Sequence, residues 1–499
     1  MKHVGSSELK KKRQIPCGGR PGTSLVLMLV LGLILSCSCL FSLECKPAGA
    51  DTAALKMDKP TLVLRSGASR QLACTLQGQS VQDLKWSSSN QSIAAVDTRG
   101  FVTSIAKGTA VITAAAAGGT AAGRSTVIVD RDPLAPLSPI AVPGYQLQNG
   151  IYENNGAEKS DQATLMLTGD LMCLIRQQRR ARTNDTYNFN ASFNHVRNIL
   201  GKADFAAGNL ETMHSHTWPY KIEETRIDGQ WNCNAPETYL DALRYAGFDG
   251  LLTANNHSCD TGPQGILETL AHLNQYQFLN TGIFAGQDSQ RFFLVNIQGI
   301  RVAFLSYTCQ LNTDDRYFTG DEVRAMVSIY SPEKVARDVA EAKAKGAEFI
   351  IAYVHWGRQN SIAATEKQLL CAREMADSGV NYIVGSHPHV LQRHDVITAK
   401  DGRRVPVMYS MGNFIGSMDE VVGNRDAIIL RVVLKRTARG IVIDSEGYYP
   451  CYVVDELNGV STTVIPTSPR YNTGLSLPVL EQASQRIAEA LGGGLEEID

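Results

Sequence analysis

The fold of this chain is decided by a short stretch in which two histidines follow an apolar run, Tyr382-Ile383-Val384-Gly385-Ser386-His387-Pro388-His389-Val390. The run predicts a buried strand that ends at the glycine. His387 and His389 would then project from the loop at its carboxyl end, where open α/β sheets place their ligands. A His-x-His pair alone also fits ordinary polar loop residues without a ligand.

Four other stretches have the same design, an apolar strand-like run that ends in polar side chains able to bind a metal. They end at Gly169-Asp170, at Gly208-Asn209-Leu210-Glu211, at Asn255-Asn256-His257 and at His355-Trp356-Gly357. Amphipathic segments typical of helices lie between them, at 236–246, 262–276, 332–345 and 365–378. This alternation predicts a layered α/β domain whose polar loops share one edge.

Each loop alone also fits a turn or a helix cap, but the repetition favours a shared site. The candidate side chains are Asp170, Glu211, Asn256, His257, His355, His387 and His389. Carboxylate, amide and imidazole ligands suit divalent Mn, Zn or Fe, with one or two ions per chain. Two ions about 3.5 to 4 Å apart can activate water for an in-line displacement, and a nearby histidine that binds neither ion can protonate the leaving group.

The N-terminal region has the pattern of an export and anchoring signal. Basic residues within 1–23, including Lys10, Lys11 and Arg13, precede the uncharged run 24–43. The run is about long enough to cross a bilayer, so we predict a cytoplasmic segment 1–23 and a transmembrane anchor or signal at 24–44. The rest of the chain would be extracytoplasmic. Cleavage, or lipidation at Cys37 in a loose lipobox, stays open beside the preferred single-pass anchor.

Composition narrows the possible partners. The formal net charge of the 499-residue chain is −1, and no basic cluster follows residue 20, so a nucleic-acid partner is not expected. The eleven cysteines are odd in number and include no C-x-x-C spacing, so no disulfide framework or zinc ribbon is indicated.

Residues 57–130 predict a small all-β domain, because short alternating runs are separated by turn residues. The segments Trp86-Ser87-Ser88-Ser89-Asn90, Gly100-Phe101-Val102 and Ala106-Lys107-Gly108-Thr109-Ala110 resemble the bacterial Ig-like group 2 domain. The resemblance implies a surface module that acts as a spacer or adhesive. A proline-rich linker is predicted at 131–160.

Six motifs between residues 167 and 413 resemble, in their order along the chain, those of the CapA family of poly-γ-glutamate capsule biosynthesis proteins. They are Leu167-Thr168-Gly169-Asp170, Gly208-Asn209-Leu210-Glu211, Ala254-Asn255-Asn256-His257-Ser258-Cys259-Asp260, Val354-His355-Trp356-Gly357, Gly385-Ser386-His387-Pro388-His389 and Tyr409-Ser410-Met411-Gly412-Asn413. The resemblance implies a four-layer α/β sandwich of the calcineurin-like metallophosphoesterase type at 161–460, followed by a tail with a helix at 461–499.

The same resemblance implies roles for individual residues. The implied metal ligands are Asp170, Glu211, Asn256, His355, His387 and His389. His257 would be the acid histidine with Asp260 as its orienting partner. Asn255, Arg358 and Asn413 are the expected substrate contacts; Arg358 departs from the family pattern and adds a cation that would favour an anionic substrate, although it also fits an ordinary solvated arginine.

Two departures from the family pattern matter. Met172 replaces the histidine of the classical Asp-x-His motif, and Gln359 stands where CapA-like chains commonly have a glutamate. Two hypotheses about function therefore stay open. One is a metal-dependent hydrolase or transferase that helps to make or anchor poly-γ-glutamate or a similar anionic surface polymer. The other is a noncatalytic polymer-binding or assembly subunit of a membrane synthase.

Overall fold

The computed structural model describes residues 55–131 and 145–498, apart from 60, 66–68, 77–78, 82, 117–120, 155–159, 184–185, 224–231, 313–317, 319, 456, 458–461 and 472–476. The predicted anchor at 24–44 and residues 132–144 and 155–159 of the predicted linker lie outside these residues. Residues 145–154 of that predicted linker do not form an extended linker, because they pair as two antiparallel strands at the edge of a sheet in the second domain. Within the described part of the chain, no helix has the length and apolarity needed to cross a membrane.

The first domain is built from short strands around one apolar core. Its strands are β1 Lys56–Met57, β2 Thr61–Arg65, β3 Ser69–Gln71, β4 Cys74–Leu76, β5 Gln79–Ser80, β6 Leu84–Ser88, β7 Ala94–Val96, β8 Phe101–Ser104, β9 Gly108–Ala116 and β10 Ala122–Arg131. They form three sheets with the strand orders β1-β4-β5, β2-β10-β9-β6 and β3-β8-β7. Side chains of Ala110, Ile112 and Ala114 alternate inward along β9, as the period of a strand requires. The predicted all-β character of this region is confirmed.

The second domain contains two large mixed sheets. Its strands are β11 Tyr145–Gln148, β12 Ile151–Asn154, β13 Gln162–Leu171, β14 Arg182–Thr183, β15 Thr186–Tyr187, β16 Phe205–Leu210, β17 Gly250–Leu252, β18 Leu279–Thr281, β19 Phe292–Ile297, β20 Ile300–Thr308, β21 Phe349–His355, β22 Tyr382–Ser386, β23 His394–Thr398, β24 Arg404–Met408, β25 Asn413–Ile415, β26 Asp426–Thr437, β27 Gly440–Val454, β28 Thr463–Pro466 and β29 Glu496–Glu497. One sheet has the order β11-β12-β19-β20-β21-β22-β24-β23, and the other has the order β18-β17-β16-β13-β26-β27-β28 with β25 and β29 at its sides.

The helices of this domain are α1 Ile175–Ala181, α2 Arg197–Leu200, α3 Thr238–Ala246, α4 Gly262–Gln275, α5 Gly320–Met326, α6 Pro332–Ala344, α7 Glu366–Ser378 and α8 Pro478–Leu491. Local signals set their limits. In α7, Thr365 and Gln368 form a reciprocal capping box at the start, and Gly379 ends the helix in the left-handed conformation.

Each strand directs alternate side chains to the two faces of its sheet, and this alternation produces the layers. In β13, Leu165 and Leu167 point into the core between the sheets, whereas Met166 packs with α2 and α3 on the outer face. In β21, Ile351 and Tyr353 face the same central core, and the alternate residues pack against α6 and α7. The predicted layered α/β domain is therefore confirmed, with helices covering both sheets.

One tyrosine links the two sheets at the edge that carries the polar loops. The hydroxyl of Tyr353 in β21 lies 3.4 Å from the carbonyl oxygen of Thr168 in β13 and 3.3 Å from that of Ala207 in β16. All three strands end in candidate site residues, so this contact joins the two halves of the site.

Gly385 allows the strand β22 to lie close to its neighbours just before the two histidines. A Cβ atom at this position would lie 2.1 Å from the carbonyl oxygen of Tyr409 and 2.5 Å from Nε1 of Trp356, which donates a hydrogen bond to that same oxygen. Any larger residue must therefore push the backbone apart.

We predict that Gly385→Ala lowers the free energy of unfolding by about 1–3 kcal/mol, the usual cost of overpacking. Chemical denaturation of the full chain measures this change. Gly286→Ala is the matched control, because a Cβ there would have no neighbour within 4 Å. Equal stability of the two variants would contradict the prediction.

Candidate metal centre

The six predicted metal ligands lie together, although they come from both sheets. Asp170 belongs to β13, and Glu211 and Asn256 follow β16 and β17 of the nine-stranded sheet. From the eight-stranded sheet, His355 ends β21, and His387 and His389 follow β22. All six side chains are buried.

The ligand atoms form two groups that share one carboxylate. Asp170, Glu211 and His389 make one group, Glu211, His355 and His387 make the other, and within each group the ligand atoms lie within 4.8 Å of one another. Asn256 joins the second group, because its Oδ1 lies 2.8 Å from Nε2 of His355. Glu211 is thus placed to bridge two ions.

Glu211 gives the strongest indication that these residues fit a metal. Both of its carboxylate oxygens are buried without a hydrogen-bond partner among the described residues. Its Oε1 lies 3.5 Å from Nε2 of His355 and 3.7 Å from Nε2 of His389, distances too long for hydrogen bonds. Ligand atoms that share an ion at about 2.1 Å lie roughly 3.0–3.5 Å apart, so small side-chain movements would let an ion satisfy this carboxylate.

A second set of polar groups holds the ligands from behind. Asn209 Nδ2 donates to Oδ1 of Asp170 at 2.7 Å, and Ser386 Oγ lies 2.8 Å from Nδ1 of His355. Nδ1 of His389 lies 2.9 Å from Oδ1 of Asn413. Such contacts orient metal-binding side chains and fix the tautomer of each imidazole.

The three expected substrate contacts lie in different surroundings. Asn413 is fully buried behind His389. Asn255 is also buried, where its Nδ2 donates to the Leu210 carbonyl and its Oδ1 accepts the amide of His257. Arg358 is exposed. Asn255 and Asn413 therefore hydrogen-bond to residues of the site loops and support these loops.

The loop that carries the two histidines has an unusual backbone. His387 has a φ of 94° and His389 a φ of 57°, a left-handed conformation that non-glycine residues rarely adopt. Surrounding contacts hold it in place, since the amide of Asn360 donates to the Pro388 carbonyl and Asn424 Nδ2 donates to the His389 carbonyl. Strained residues held in this way are typical of ligand-binding sites.

His257 lies beside the two groups and is held from one side. Its Nδ1 is 2.7 Å from Oδ2 of Asp260, and its Nε2 faces the site at 3.9 Å from Oε1 of Glu211. Burial alone would lower the pKa of His257, but Cys233 and Asp260 beside it raise that pKa well above its ordinary value. The ring is therefore positioned to carry a proton towards the site.

Three residues that lie near the site were not predicted from the sequence. Gln310 Nε2 contacts Nε2 of His387, and Asn312 Nδ2 lies 3.4 Å from Nε2 of His257. Both follow β20, so the same pattern of an apolar strand before polar residues was present in the sequence. Cys233, whose amide donates to Oδ2 of Asp260, had no comparable signal.

The fold and the site define an α/β sandwich with a buried cluster of side chains able to bind divalent metals. The family model for the bacterial capsule synthesis protein PGA_cap matches residues 164–418, and the chain belongs to this family. The model for the bacterial Ig-like domain (group 2) matches residues 52–127.

Two curated relatives are similar to the chain. The capsule biosynthesis protein CapA of Bacillus anthracis is 30% identical over 267 residues, which cover 52% of this chain and 60% of that protein. The PGA biosynthesis protein CapA of Bacillus subtilis (strain 168) is 27% identical over 250 residues, which cover 50% of this chain and 62% of that protein. The matched region thus spans about three fifths of each relative.

Among solved structures, the calcineurin-like phosphoesterase YfkN from Bacillus subtilis is similar to the chain with a TM-score of 0.35. It is 11% identical, and the match covers 66% of this chain and 98% of that one.

We predict that the purified chain binds divalent metal and that His387→Ala/His389→Ala loses it, because these residues serve both ligand groups. Elemental analysis after reconstitution with Mn, Zn and Fe measures the content per chain. His195→Ala is the control, since His195 belongs to neither group. Absence of metal from the unsubstituted chain would refute the metal centre.

We also predict that metal affinity rises with pH between about 6 and 9. Burial raises the pKa of Glu211 to about 8. For His389, burial acts in the opposite direction, but Glu211 and Asp170 raise the pKa to about 9. Below these values the metal-free site holds protons that a metal must displace, so affinity falls as pH falls.

Calorimetric titration with Mn in buffers of different ionisation enthalpy tests this linkage. We expect release of at least about one proton per chain at pH 7. Binding that is independent of pH and releases no proton would show that the ligands are already deprotonated.

Proposed function

We propose that this chain is a metal-dependent hydrolase or transferase of the cell surface, acting in capsule or poly-γ-glutamate biosynthesis or anchoring. The observation that carries the proposal is the buried Glu211, shared by two ligand groups and flanked by the His257–Asp260 pair. The names of the two relatives, which concern capsule and PGA biosynthesis, support the biological setting.

The ligands divide into two proposed ion sites. Asp170, Glu211 and His389 would hold one ion, and Glu211, Asn256, His355 and His387 would hold the other. Bound ions of this kind lower the pKa of water and neutralise charge that develops on a reacting oxygen. The second site has one more ligand than the first, because Met172 occupies the position of the classical histidine.

His257 is the proposed general acid. Oδ2 of Asp260 holds the Nδ1 side of the ring, so Nε2 is the nitrogen that can deliver a proton to a leaving atom in the site. Asp260 acts through His257 and is therefore a positioning residue. The bond cleaved is a phosphoester or an amide of the polymer.

The membrane setting rests on the sequence of residues 24–44, which predicts a single-pass anchor with the two domains outside the cell. In this arrangement the Ig-like domain would act as a spacer between the bilayer and the metal domain. An anionic surface polymer such as poly-γ-glutamate is the proposed partner, together with subunits of a membrane synthase.

A noncatalytic role in polymer binding or synthase assembly is the second candidate. The observation that favours it is Met172, which removes a ligand from the first ion site. In that case the metal would stabilise the fold, and His257 would not act as a general acid.

We predict that His257→Ala lowers the rate of hydrolysis by about 10²–10⁴-fold, the usual contribution of a general acid, with metal content unchanged. The substrates are 4-nitrophenyl phosphate, bis(4-nitrophenyl) phosphate and γ-glutamyl-4-nitroanilide, each tested with Mn, Zn and Fe. Restoration of capsule in a deletion strain is measured in parallel.

Asp260→Asn provides the graded comparison, because it keeps the shape of the side chain and changes the pH profile of the rate. His195→Ala is the control for any loss of rate that comes from expressing and purifying a substituted protein. A His257→Ala protein that restores full capsule formation would favour the assembly role over the hydrolase.

A further inference from the structure

A cavity of about 550 Å³ opens over the candidate metal centre, and its walls differ in character. Polar residues of the site line it, including Asn256, His257, His387 and His389. Apolar side chains from three separate segments also line it, namely Met172, Leu174, Ile175, Leu311 and Met418. We call this second set the apolar wall.

The first segment of the apolar wall is held in place. Gln177 Nε2 donates to the carbonyl oxygen of Met172 at 2.7 Å, and Gln177 Oε1 accepts the amide of Leu174 at 2.8 Å. This clamp fixes the turn that leads from the metal ligand Asp170 into α1. Ile175, the first residue of α1, is 37% exposed at the cavity. Apolar side chains kept beside a binding site are typical of surfaces that meet an apolar ligand.

The charged side chains that line the cavity are two cations, Arg176 and Lys221, and one carboxylate, Glu420. Arg176 Nη1 lies 2.8 Å from Asp419 and 3.2 Å from Asp455, so two carboxylates already neutralise it. Glu420 adds a negative charge to the lining. Arg358, the cation that the sequence suggested for anion binding, is not among the lining residues.

We propose that the site accepts a phosphoester of an apolar alcohol, with the phosphate at the metal ligands and the aliphatic chain along the apolar wall. This inference rests on the proposed hydrolase and names its substrate class. Hydrolysis forms a bond from the water oxygen to phosphorus and breaks the bond from phosphorus to the alcohol oxygen. The alcohol oxygen leaves with the electron pair and takes a proton from Nε2 of His257. The proton lost by the attacking water passes to solvent, from which His257 is protonated again, so the products are a phosphate and an alcohol.

The length of the aliphatic chain provides a binding test that needs no turnover. Methylphosphonate and hexylphosphonate present the same charged group, and neither has a phosphoester bond to hydrolyse. We expect the Mn-loaded full chain to bind hexylphosphonate at least about tenfold more tightly in calorimetric titration, because the added methylenes become buried.

Substitutions in the apolar wall should remove this preference. Ile175→Ser and Leu311→Ser are expected to reduce the ratio of the two dissociation constants to less than about threefold, while methylphosphonate affinity stays the same. Leu370→Ser is the matched control, because Leu370 is exposed on α7 and does not line the cavity. It should retain the full ratio.

Equal binding of the two phosphonates would overturn the proposal, as would stronger competition by a short γ-glutamyl oligomer than by hexylphosphonate. Failure to bind either phosphonate would also overturn it. A preference for hexylphosphonate without hydrolysis of hexyl 4-nitrophenyl phosphate would retain the apolar site and reject the hydrolase. Hydrolysis of methyl and hexyl 4-nitrophenyl phosphate at equal kcat/KM would retain the hydrolase and reject the substrate class.

Discussion

The buried carboxylate of Glu211 is the constraint on which the rest of the site depends. An ionised carboxylate costs several kcal/mol to remove from water unless charges or hydrogen bonds compensate it. Among the residues that the structure describes, neither oxygen has a hydrogen-bond partner, and imidazole nitrogens and the carboxylate of Asp170 lie nearby. The polar loops are therefore arranged around a buried carboxyl group whose pKa is raised to about 8, and protons held by Glu211 and His389 occupy the place that a divalent cation would take.

The surrounding histidines respond to this charge in different ways. Burial lowers the pKa of His355 well below its ordinary value and that of His387 to about 3, so both rings are neutral, the state in which imidazole binds a metal. His389 lies next to two carboxylates and has a raised pKa. His355 and His387 are thus ready to bind a cation, whereas His389 retains a proton that a cation must displace.

Much of this arrangement could be predicted from local sequence. The apolar runs before Asp170, Glu211, His355 and His387 identified the strands and the edge where they end, because a strand that is buried on both faces has a continuous apolar pattern. The spacing of His257 and Asp260 likewise placed two partners within one turn. These signals are short in range, so one sequence is enough to read them.

The other features of the site depend on contacts between distant segments. Asn413 lies behind His389 because β25 pairs with β13, a register that no local pattern encodes. The apolar wall brings together residues 172, 174, 175, 311 and 418. Met172 was notable in the sequence only as a missing ligand, and the other four would pass for ordinary core or surface residues in their own segments. The positive φ angles of His387 and His389 are imposed by neighbouring loops, since neither residue type demands them.

The hydroxyl of Tyr353, which bridges β21 to β13 and β16, makes the spacing of the two sheets part of the chemistry. Half of the predicted ligands belong to each sheet, so the distance between the two halves is set by the thickness of the core between the sheets. A core substitution that shifts one sheet by a fraction of an ångström would misalign ligands that it does not touch. Activity in such a protein should be lost through mutations of the interior well before the chain unfolds, and the tolerance of its core to evolutionary change should be correspondingly narrow.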